Sequence, residues 1–247
     1  MIILEKKKIL YAISIISMFI FTFVLTSNKI NNNKMDSKID VKTVQTVALP
    51  VNKKTIVLDA GHRYSRWTVQ KAVCGTTEAQ TNLKIALKLQ NLLEQSGATV
   101  ILTRSDENGI YDIDSTTLRQ KKISDIRNRV KIGNESAADI FVSIHLNKIP
   151  QSKYWGWQTF YNKESQDGKK LATSIQSNLN ETIQKENKRV PMKIDNVYII
   201  KHVEIPTTIV ECGFLSNPEE EQQLLTDEYQ NKLAWGIYTG IMDYFYN

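Results

Sequence analysis

Through residues 53–247, short apolar runs alternate with longer stretches in which apolar residues recur every three or four positions. The short runs predict buried strands, and the wider spacing predicts helices. The predicted strands cover residues 55–59, 99–103, 140–145, 158–161, 197–200 and 207–211, and the predicted helices cover residues 77–95, 118–137, 169–184 and 226–245. This alternation is typical of an α/β fold. It predicts a single domain with a mostly parallel, twisted sheet of about six strands and helices on both faces.

The amino-terminal part of the chain has a different pattern. Three lysines precede an uncharged apolar run, residues 9–28, which is long enough to cross a bilayer as a helix. The lysines predict a cytoplasmic amino terminus and an extracytoplasmic location for the rest of the chain, anchored by this helix or secreted. We interpret residues 1–28 as an uncleaved signal anchor, with a removed signal peptide as the alternative. Residues 29–52 are polar and predict a flexible linker before a folded domain at 53–247.

Composition and charge narrow the possible functions. The 247 residues are 41% hydrophobic, which is enough for one sizeable core. The net charge is +6, but residues 54–247 carry 24 basic and 23 acidic side chains, so the predicted domain lacks the basic excess of a nucleic-acid-binding protein. We therefore predict no nucleic-acid partner. The only cysteines, Cys74 and Cys212, are too few for a disulfide framework, and we expect free thiols.

Candidate chemistry gathers where predicted strands end. His62 follows the first strand, His145 ends the third and Glu211 ends the last, while Glu78 begins the first helix. Ligands of open α/β sheets bind at the carboxyl ends of the strands. Two imidazoles and one carboxylate match the ligand set of a catalytic zinc site, and the remaining carboxylate could act as a base. Each residue also has a structural alternative, such as a hydrogen-bonded histidine or a glutamate that pairs with the helix dipole.

Four motifs in chain order resemble one family. They are residues 56–62 (Ile-Val-Leu-Asp-Ala-Gly-His), 78–87, 138–147 and 205–218 (Ile-Pro-Thr-Thr-Ile-Val-Glu-Cys-Gly-Phe-Leu-Ser-Asn-Pro). Together they resemble the zinc-dependent N-acetylmuramoyl-L-alanine amidases known as amidase 3. Residues 125–134, 157–161 and 198–202 look most like the germination-specific, CwlD-type amidases of spore-forming bacteria.

The resemblance implies an enzyme that hydrolyses the amide between muramic acid and the L-alanine of the stem peptide in peptidoglycan. It implies one Zn²⁺ per chain with His62, Glu78 and His145 as ligands, and Glu211 as the general base. In spore formers, the CwlD-type branch helps to make the muramic lactam of cortex peptidoglycan. We therefore expect a location facing the forespore cortex, a membrane tether and, to direct or activate the enzyme, a protein partner.

Residues 63–75 depart from the family, which usually has a glycine-rich stretch after the first histidine. This departure keeps a second hypothesis open, in which the protein is a catalytically lapsed peptidoglycan-binding or scaffold protein at the cell wall. A zinc peptidase that cuts within stem peptides is a third hypothesis, because the same ligands could serve it.

Four further residues are candidates for substrate contacts. His202 could polarise the scissile carbonyl or lie on the surface. Arg129 could bind a stem-peptide carboxylate or phosphate, or form a structural ion pair. Trp157 could stack on a sugar ring or pack in the core, and Asn147 ends the third motif.

Overall fold

The computed structural model describes residues 48–62 and 77–247, which form a single α/β domain as predicted. Its strands are β1 (Thr55–Ala60), β2 (Thr99–Leu102), β3 (Ile140–Asn147), β4 (Gln158–Asn162), β5 (Met192–Ile194) and β6 (Thr207–Phe214). Its helices are α1 (Glu78–Gln95), α2 (Leu118–Glu135), α3 (Gln166–Ile183), α4 (Tyr198–His202), α5 (Pro218–Leu224) and α6 (Asp227–Tyr246).

The six strands form one mixed sheet in the order β2-β1-β3-β6-β4-β5. Every neighbouring pair is parallel except β4 and β6, which are antiparallel. The predicted number of strands is confirmed, but the sheet is less uniformly parallel than we expected. The connection between β3 and β4 spans only residues 148–157. A crossover between parallel strands needs a dozen or more residues, so this short loop instead leads into a strand of opposite direction.

The strand predicted at residues 197–200 is wrong, because these residues begin helix α4. Ile199 and Val203, one helical turn apart, pack on the sheet through a cluster that includes Val57 and Phe141. A short apolar run does not distinguish a strand from a buried helix, which explains the error. The edge strand at this position is instead β5, whose Met192 is exposed.

Helices cover both faces of the sheet, as predicted. Side chains of a strand alternate between faces. On β1, Ile56 and Leu58 join the larger core with α1, α3 and α6, whereas Val57 joins a smaller cluster with residues of α2 and α4. This alternation puts Asp59 and His145 on the α2 side of the sheet, the same side as Val57 and Phe141.

The parallel strands β1, β3 and β6 bring their carboxyl ends to one edge of the sheet. Ala60 is the register partner of Ile144, and His145 is the register partner of Glu211. We call this edge the carboxyl edge. Residues that follow β1, end β3 and end β6 must therefore lie close together, although they are far apart in the sequence.

The predicted membrane anchor and most of the linker lie outside the described residues. Within residues 48–62 and 77–247, no helix combines the length and the apolar character needed to span a bilayer.

We predict that Gly240→Ala destabilises the domain, because α3 and α6 meet closely at this glycine. A Cβ there would lie 2.5 Å from the Cα and 2.9 Å from the N of Ile175. Backbone atoms cannot rotate away, so the helices must separate. Despite the higher helix propensity of alanine, the free energy of unfolding should fall by about 1–3 kcal/mol in urea. The surface substitution Lys232→Ala on α6 should change it by less than about 0.5 kcal/mol. A free energy of unfolding for Gly240→Ala equal to that of the wild type would contradict this close contact.

Candidate metal centre and catalytic base

A tight turn after β1 presents the first histidine. His62 has φ 57°, in the left-handed region that non-glycine residues rarely adopt. Such a conformation persists only where surrounding structure holds it. The amide of Gly61 is fixed to the sheet, because it donates to the carbonyl oxygen of Ile144 at 2.9 Å.

Two buried arginines hold the carbonyl groups of this turn. Arg129 donates to the oxygens of Ala60 at 2.9 Å and of His62 at 3.1 Å. Arg104 donates to the oxygens of Ala60 at 2.8 Å and of Gly61 at 3.1 Å. All three consecutive carbonyls therefore accept charge-assisted hydrogen bonds, which are roughly twice as strong as neutral ones.

Arg129 is itself fixed by two carboxylates. Its guanidinium forms ion pairs with Asp59 and with Asp125, and its side chain is only 2% exposed. Asp59 also accepts hydrogen bonds from the hydroxyls of Thr103 and Ser143. Burial alone would raise the pKa of Asp59, but Arg129 and these donors lower it to about 2. This placement corrects the substrate-contact interpretation of Arg129, because its donors are occupied within the protein.

Glu78 connects the two histidines. Its Oε1 lies 3.4 Å from Nε2 of His62 and 3.5 Å from Nδ1 of His145. The same oxygen accepts from the amide of Leu146 at 3.1 Å and from Nδ2 of Asn82 at 3.3 Å. Burial would raise the pKa of Glu78, but the hydrogen bond with His145 and the charge of His62 hold it below its usual value. Glu78 is thus a carboxylate ready to act as a ligand.

The structure brings together the three predicted metal ligands. One ligand atom from each of His62, Glu78 and His145 can be chosen so that all lie within 4.8 Å of one another. A tetrahedral zinc with bonds of about 2.0–2.1 Å separates its ligand atoms by about 3.4 Å. The two distances from Glu78 to the histidines match that value. The donor set and its spacing therefore fit a catalytic zinc ion with a position left for substrate or water.

Gly61 makes room for His145. A Cβ at residue 61 would lie 2.2 Å from Nε2 and 2.3 Å from Cε1 of the His145 ring. The ring therefore packs directly on the backbone of the turn that carries His62, and the two imidazole centroids are 5.0 Å apart. Only glycine permits this contact.

Glu211 lies opposite His145 in the sheet and is the predicted base. Its Oε2 is buried and, in the described part of the chain, has no hydrogen-bond partner. Burial raises its pKa to about 7, against the lowering effect of His145 and with a further increase from Glu78. Among the described residues, Oδ1 of Asn82 is also buried without a hydrogen-bond partner, and Nδ2 of Asn82 donates to the candidate ligand Glu78. An orphaned carboxylate oxygen next to three candidate ligands is what a water-activating base requires.

The other three predicted substrate contacts occupy different environments. Trp157 is fully buried and its Nε1 donates to Asn180 at 2.8 Å, which corrects the sugar-stacking interpretation because the ring is inaccessible. His202 is exposed on α4, and its carbonyl accepts from Asn134 near the end of α2, at the edge opposite the site. Its predicted contact with the scissile carbonyl is therefore also corrected. Asn147 ends β3 at the carboxyl edge and stays a prediction.

The sequence interpretation missed the residues that support the ligands. Arg104 follows the apolar run of β2, so the rule that identified His62 could have identified it. Nothing local marks Asn82 or the packing role of Gly61, because both depend on contacts between distant segments. Cys212 is a buried free thiol, as expected, and burial raises its pKa. Cys74 and the atypical residues 63–75 lie outside the described residues.

The fold and the site define an α/β protein with a His-Glu-His group suited to the metal ion of a metal-dependent enzyme. Residues 56–243 match the Amidase_3 family, described as N-acetylmuramoyl-L-alanine amidase. The chain belongs to this family, so it is an N-acetylmuramoyl-L-alanine amidase, as its motifs indicated.

Individual relatives confirm the resemblance to germination-specific, CwlD-type amidases. The germination-specific N-acetylmuramoyl-L-alanine amidase of Bacillus subtilis is 35% identical over 199 residues, 80% of this chain and 82% of the relative. The CwlD amidase of Clostridioides difficile, solved in complex with the GerS lipoprotein, has a TM-score of 0.72 and 44% identity, over 78% of this chain and 98% of that one. An N-acetylmuramoyl-L-alanine amidase of Clostridium difficile 630 has a TM-score of 0.67 and 30% identity. This match covers 78% of this chain and 97% of that one.

We predict that Gly61→Ala weakens metal binding without unfolding the domain. The new methyl group would occupy the position of the His145 ring, so this ligand must move. Zinc affinity, measured by competition with a chelator, should fall at least 10-fold. The variant His62→Ala removes a candidate ligand and gives the zinc affinity expected when one ligand is lost completely. Circular dichroism shows whether each variant is folded. Unchanged affinity of Gly61→Ala would show that His145 does not need its place on the turn.

We also predict that Glu211 makes the metal-free protein less stable as pH rises. Its folded pKa of about 7 exceeds the unfolded value of about 4.3, so this stabilisation is complete below pH ~4 and is lost as pH rises through 7. In a chelator, the stability of Glu211→Gln relative to wild type should increase by about 2–3 kcal/mol between pH 4.5 and 8. The matched control is Glu164→Gln, at a side chain that is 81% exposed. Parallel pH dependence of Glu211→Gln and wild type would contradict the raised pKa.

Proposed function

We propose that this amidase uses one zinc ion held by His62, Glu78 and His145, with Glu211 as general base. The observation that carries the proposal is the buried Oε2 of Glu211 opposite His145, which has no hydrogen-bond partner among the described residues. Glu78 accepts hydrogen bonds from Leu146 and Asn82, whereas no described residue donates to this oxygen of Glu211. These different environments support different roles for the two carboxylates, as ligand and as proton acceptor.

The residues of the chain support a general-base hydrolysis. When bound, zinc supplies a Lewis acid that stabilises negative charge on the scissile carbonyl oxygen. Glu211 removes a proton from the attacking water and delivers it to the departing nitrogen of L-alanine. A buried carboxylate with an available oxygen among the described residues suits both steps, since it must accept a proton and then release it. The arginine-held turn keeps His62 in position throughout.

We place the enzyme in the formation of spore cortex peptidoglycan, where removal of the stem peptide precedes muramic lactam formation. Support comes from the germination-specific Bacillus subtilis relative and from the similarity to the CwlD amidase. The apolar residues 9–28 would anchor the enzyme to the membrane, facing the forespore cortex. Because the solved CwlD amidase is bound to a lipoprotein, we extend the proposal to an activating protein partner on the same side of the membrane.

Mass spectrometry of muropeptides tests the reaction. The full chain in detergent with zinc should release stem peptides from purified peptidoglycan and leave peptide-free muramic acid. Glu211→Gln should retain one zinc per chain but lower kcat by about 10²–10⁴-fold, because only the proton acceptor is lost. His145→Ala should lose both zinc and turnover. Glu204→Gln, at an exposed glutamate before β6, is the matched control and should behave like wild type.

Other products would favour the other hypotheses. Cleavage within the stem peptide would identify a zinc peptidase. Folded, zinc-loaded wild type without product, even with membranes that contain its partner, would favour a lapsed wall-binding protein. Wild-type turnover in Glu211→Gln would retain the amidase but reject Glu211 as the base.

A further inference from the structure

A cationic and aromatic surface lies next to Glu211 on the side away from the metal ligands. We call it the Arg189 shelf. Tyr154, Trp155, Gln158 and Arg189 form the shelf, and Arg189 packs against the buried ring of Phe214. The Arg189 guanidinium carbon is 4.8 Å from the ring centroid of Phe214 and 6.0 Å from that of Tyr154. Such stacking holds a guanidinium in a fixed plane and leaves its edge available.

Only neutral acceptors bind Arg189 within the described residues. Its Nε donates to the carbonyl of Trp155 at 3.4 Å, and its Nη1 donates to Oε1 of Gln158 at 3.3 Å. No carboxylate in the described part of the chain lies within ion-pair distance of it. The charge of Arg189 acts on the buried Glu220 only from a distance. The carboxylate oxygens of Glu220 instead accept hydrogen bonds from the backbone amides of Gly156 and Phe214, both at 2.8 Å. Arg189 is therefore oriented but not neutralised, unlike Arg129 with its two ion pairs.

The sheet register fixes the shelf beside the base. Gln158 on β4 is the direct register partner of Glu211 on β6, as His145 is on the other side. Side chains of directly opposed residues lie on the same face with their Cβ atoms about 5 Å apart. The order across the carboxyl edge is thus His145, Glu211, Gln158 and then Arg189, which donates to Gln158. A substrate seated on Glu211 would extend over the shelf within a few residues, since an extended peptide spans about 3.3–3.6 Å per residue.

We propose that Arg189 binds a free carboxylate of the stem peptide and makes the enzyme selective for it. The proposal rests on the proposed function, because it assumes a peptide substrate on Glu211. A planar guanidinium with a free edge recognises carboxylate bidentately. Two lysines add positive charge beside it, with Lys185 3.9 Å from the Trp155 centroid and Lys153 5.4 Å from the Tyr154 centroid. The aromatic rings then cover the apolar parts of the peptide.

A matched pair of substrates tests this selectivity. One is N-acetylmuramoyl-L-alanyl-D-glutamate with a free α-carboxylate, and the other carries an amide at that carboxyl. Both substrates, and the product peptides derived from them, carry an amide at the γ-carboxyl, so only the α-carboxyl differs. Wild type should prefer the acid in kcat/KM by about 10–100-fold, the usual range for a charge-assisted bond. Arg189→Gln should raise KM for the acid by a similar factor, change kcat less than twofold and abolish the preference. Arg189→Lys should retain part of it.

A neighbouring cation provides the control. Lys188 is 88% exposed and pairs with Glu186, so Lys188→Gln removes the same charge away from the shelf and should leave the preference unchanged. Calorimetric binding of the product peptides L-alanyl-D-glutamate and its amide gives a readout independent of turnover. Wild type should bind the acid more tightly, and Arg189→Gln should bind both equally.

The outcomes separate this inference from the proposed function. If wild type, with membranes that contain its partner, hydrolyses neither these substrates nor purified peptidoglycan, the proposed function is in error. If wild type hydrolyses acid and amide equally, the inference about Arg189 is overturned while the amidase remains, and this comparison needs no variant. A preference that persists in folded Arg189→Gln also overturns it. Thermal unfolding of each variant identifies any that fail to fold.

Discussion

The buried ion pair between Asp59 and Arg129 is the interaction on which the site depends. It joins the end of β1 to α2 in the interior, where breaking such a pair typically costs about 3–5 kcal/mol because one charge is left uncompensated. Arg129 also donates hydrogen bonds to the carbonyl oxygens of Ala60 and His62. The Asp59–Arg129 pair therefore also holds the left-handed turn at His62. The position of the candidate ligand His62 is thereby set by a buried ion pair that is almost inaccessible to solvent.

Two glutamates at this edge differ because their surroundings differ. Glu78 begins α1 and accepts hydrogen bonds from the backbone amide of Leu146 and the side-chain amide of Asn82. It also faces both histidines, and these contacts favour its charged form. Glu211 ends an apolar strand with an oxygen that has no partner in the described chain, which favours its protonated form. Folding thus gives two residues of the same type different protonation preferences, and such differences allow a pair of carboxylates to take distinct roles.

Sequence patterns predicted most of the fold and the central group of the site. Runs such as residues 140–145 identify strands, and parallel strands bring their ends together, so His62, Glu78, His145 and Glu211 could be predicted. Residues 197–200 could not be assigned correctly, because a run of four apolar residues fits either a strand or one turn of helix. The roles of Arg129 and Trp157 depend on which distant segments pack against them, and no local pattern contains that information.

The mixed sheet explains how the Arg189 shelf comes to lie beside Glu211. Because β4 runs against β6, it begins at the carboxyl edge, and its first residue, Gln158, stands opposite Glu211. Its parallel neighbour β5 begins at the same edge, so Arg189, in the loop before β5, lies beside Gln158. In a wholly parallel sheet, β4 would begin at the other edge and its preceding loop would lie far from the site. The single antiparallel pairing therefore places the Arg189 shelf beside the candidate metal centre, whose residues the parallel strands bring together.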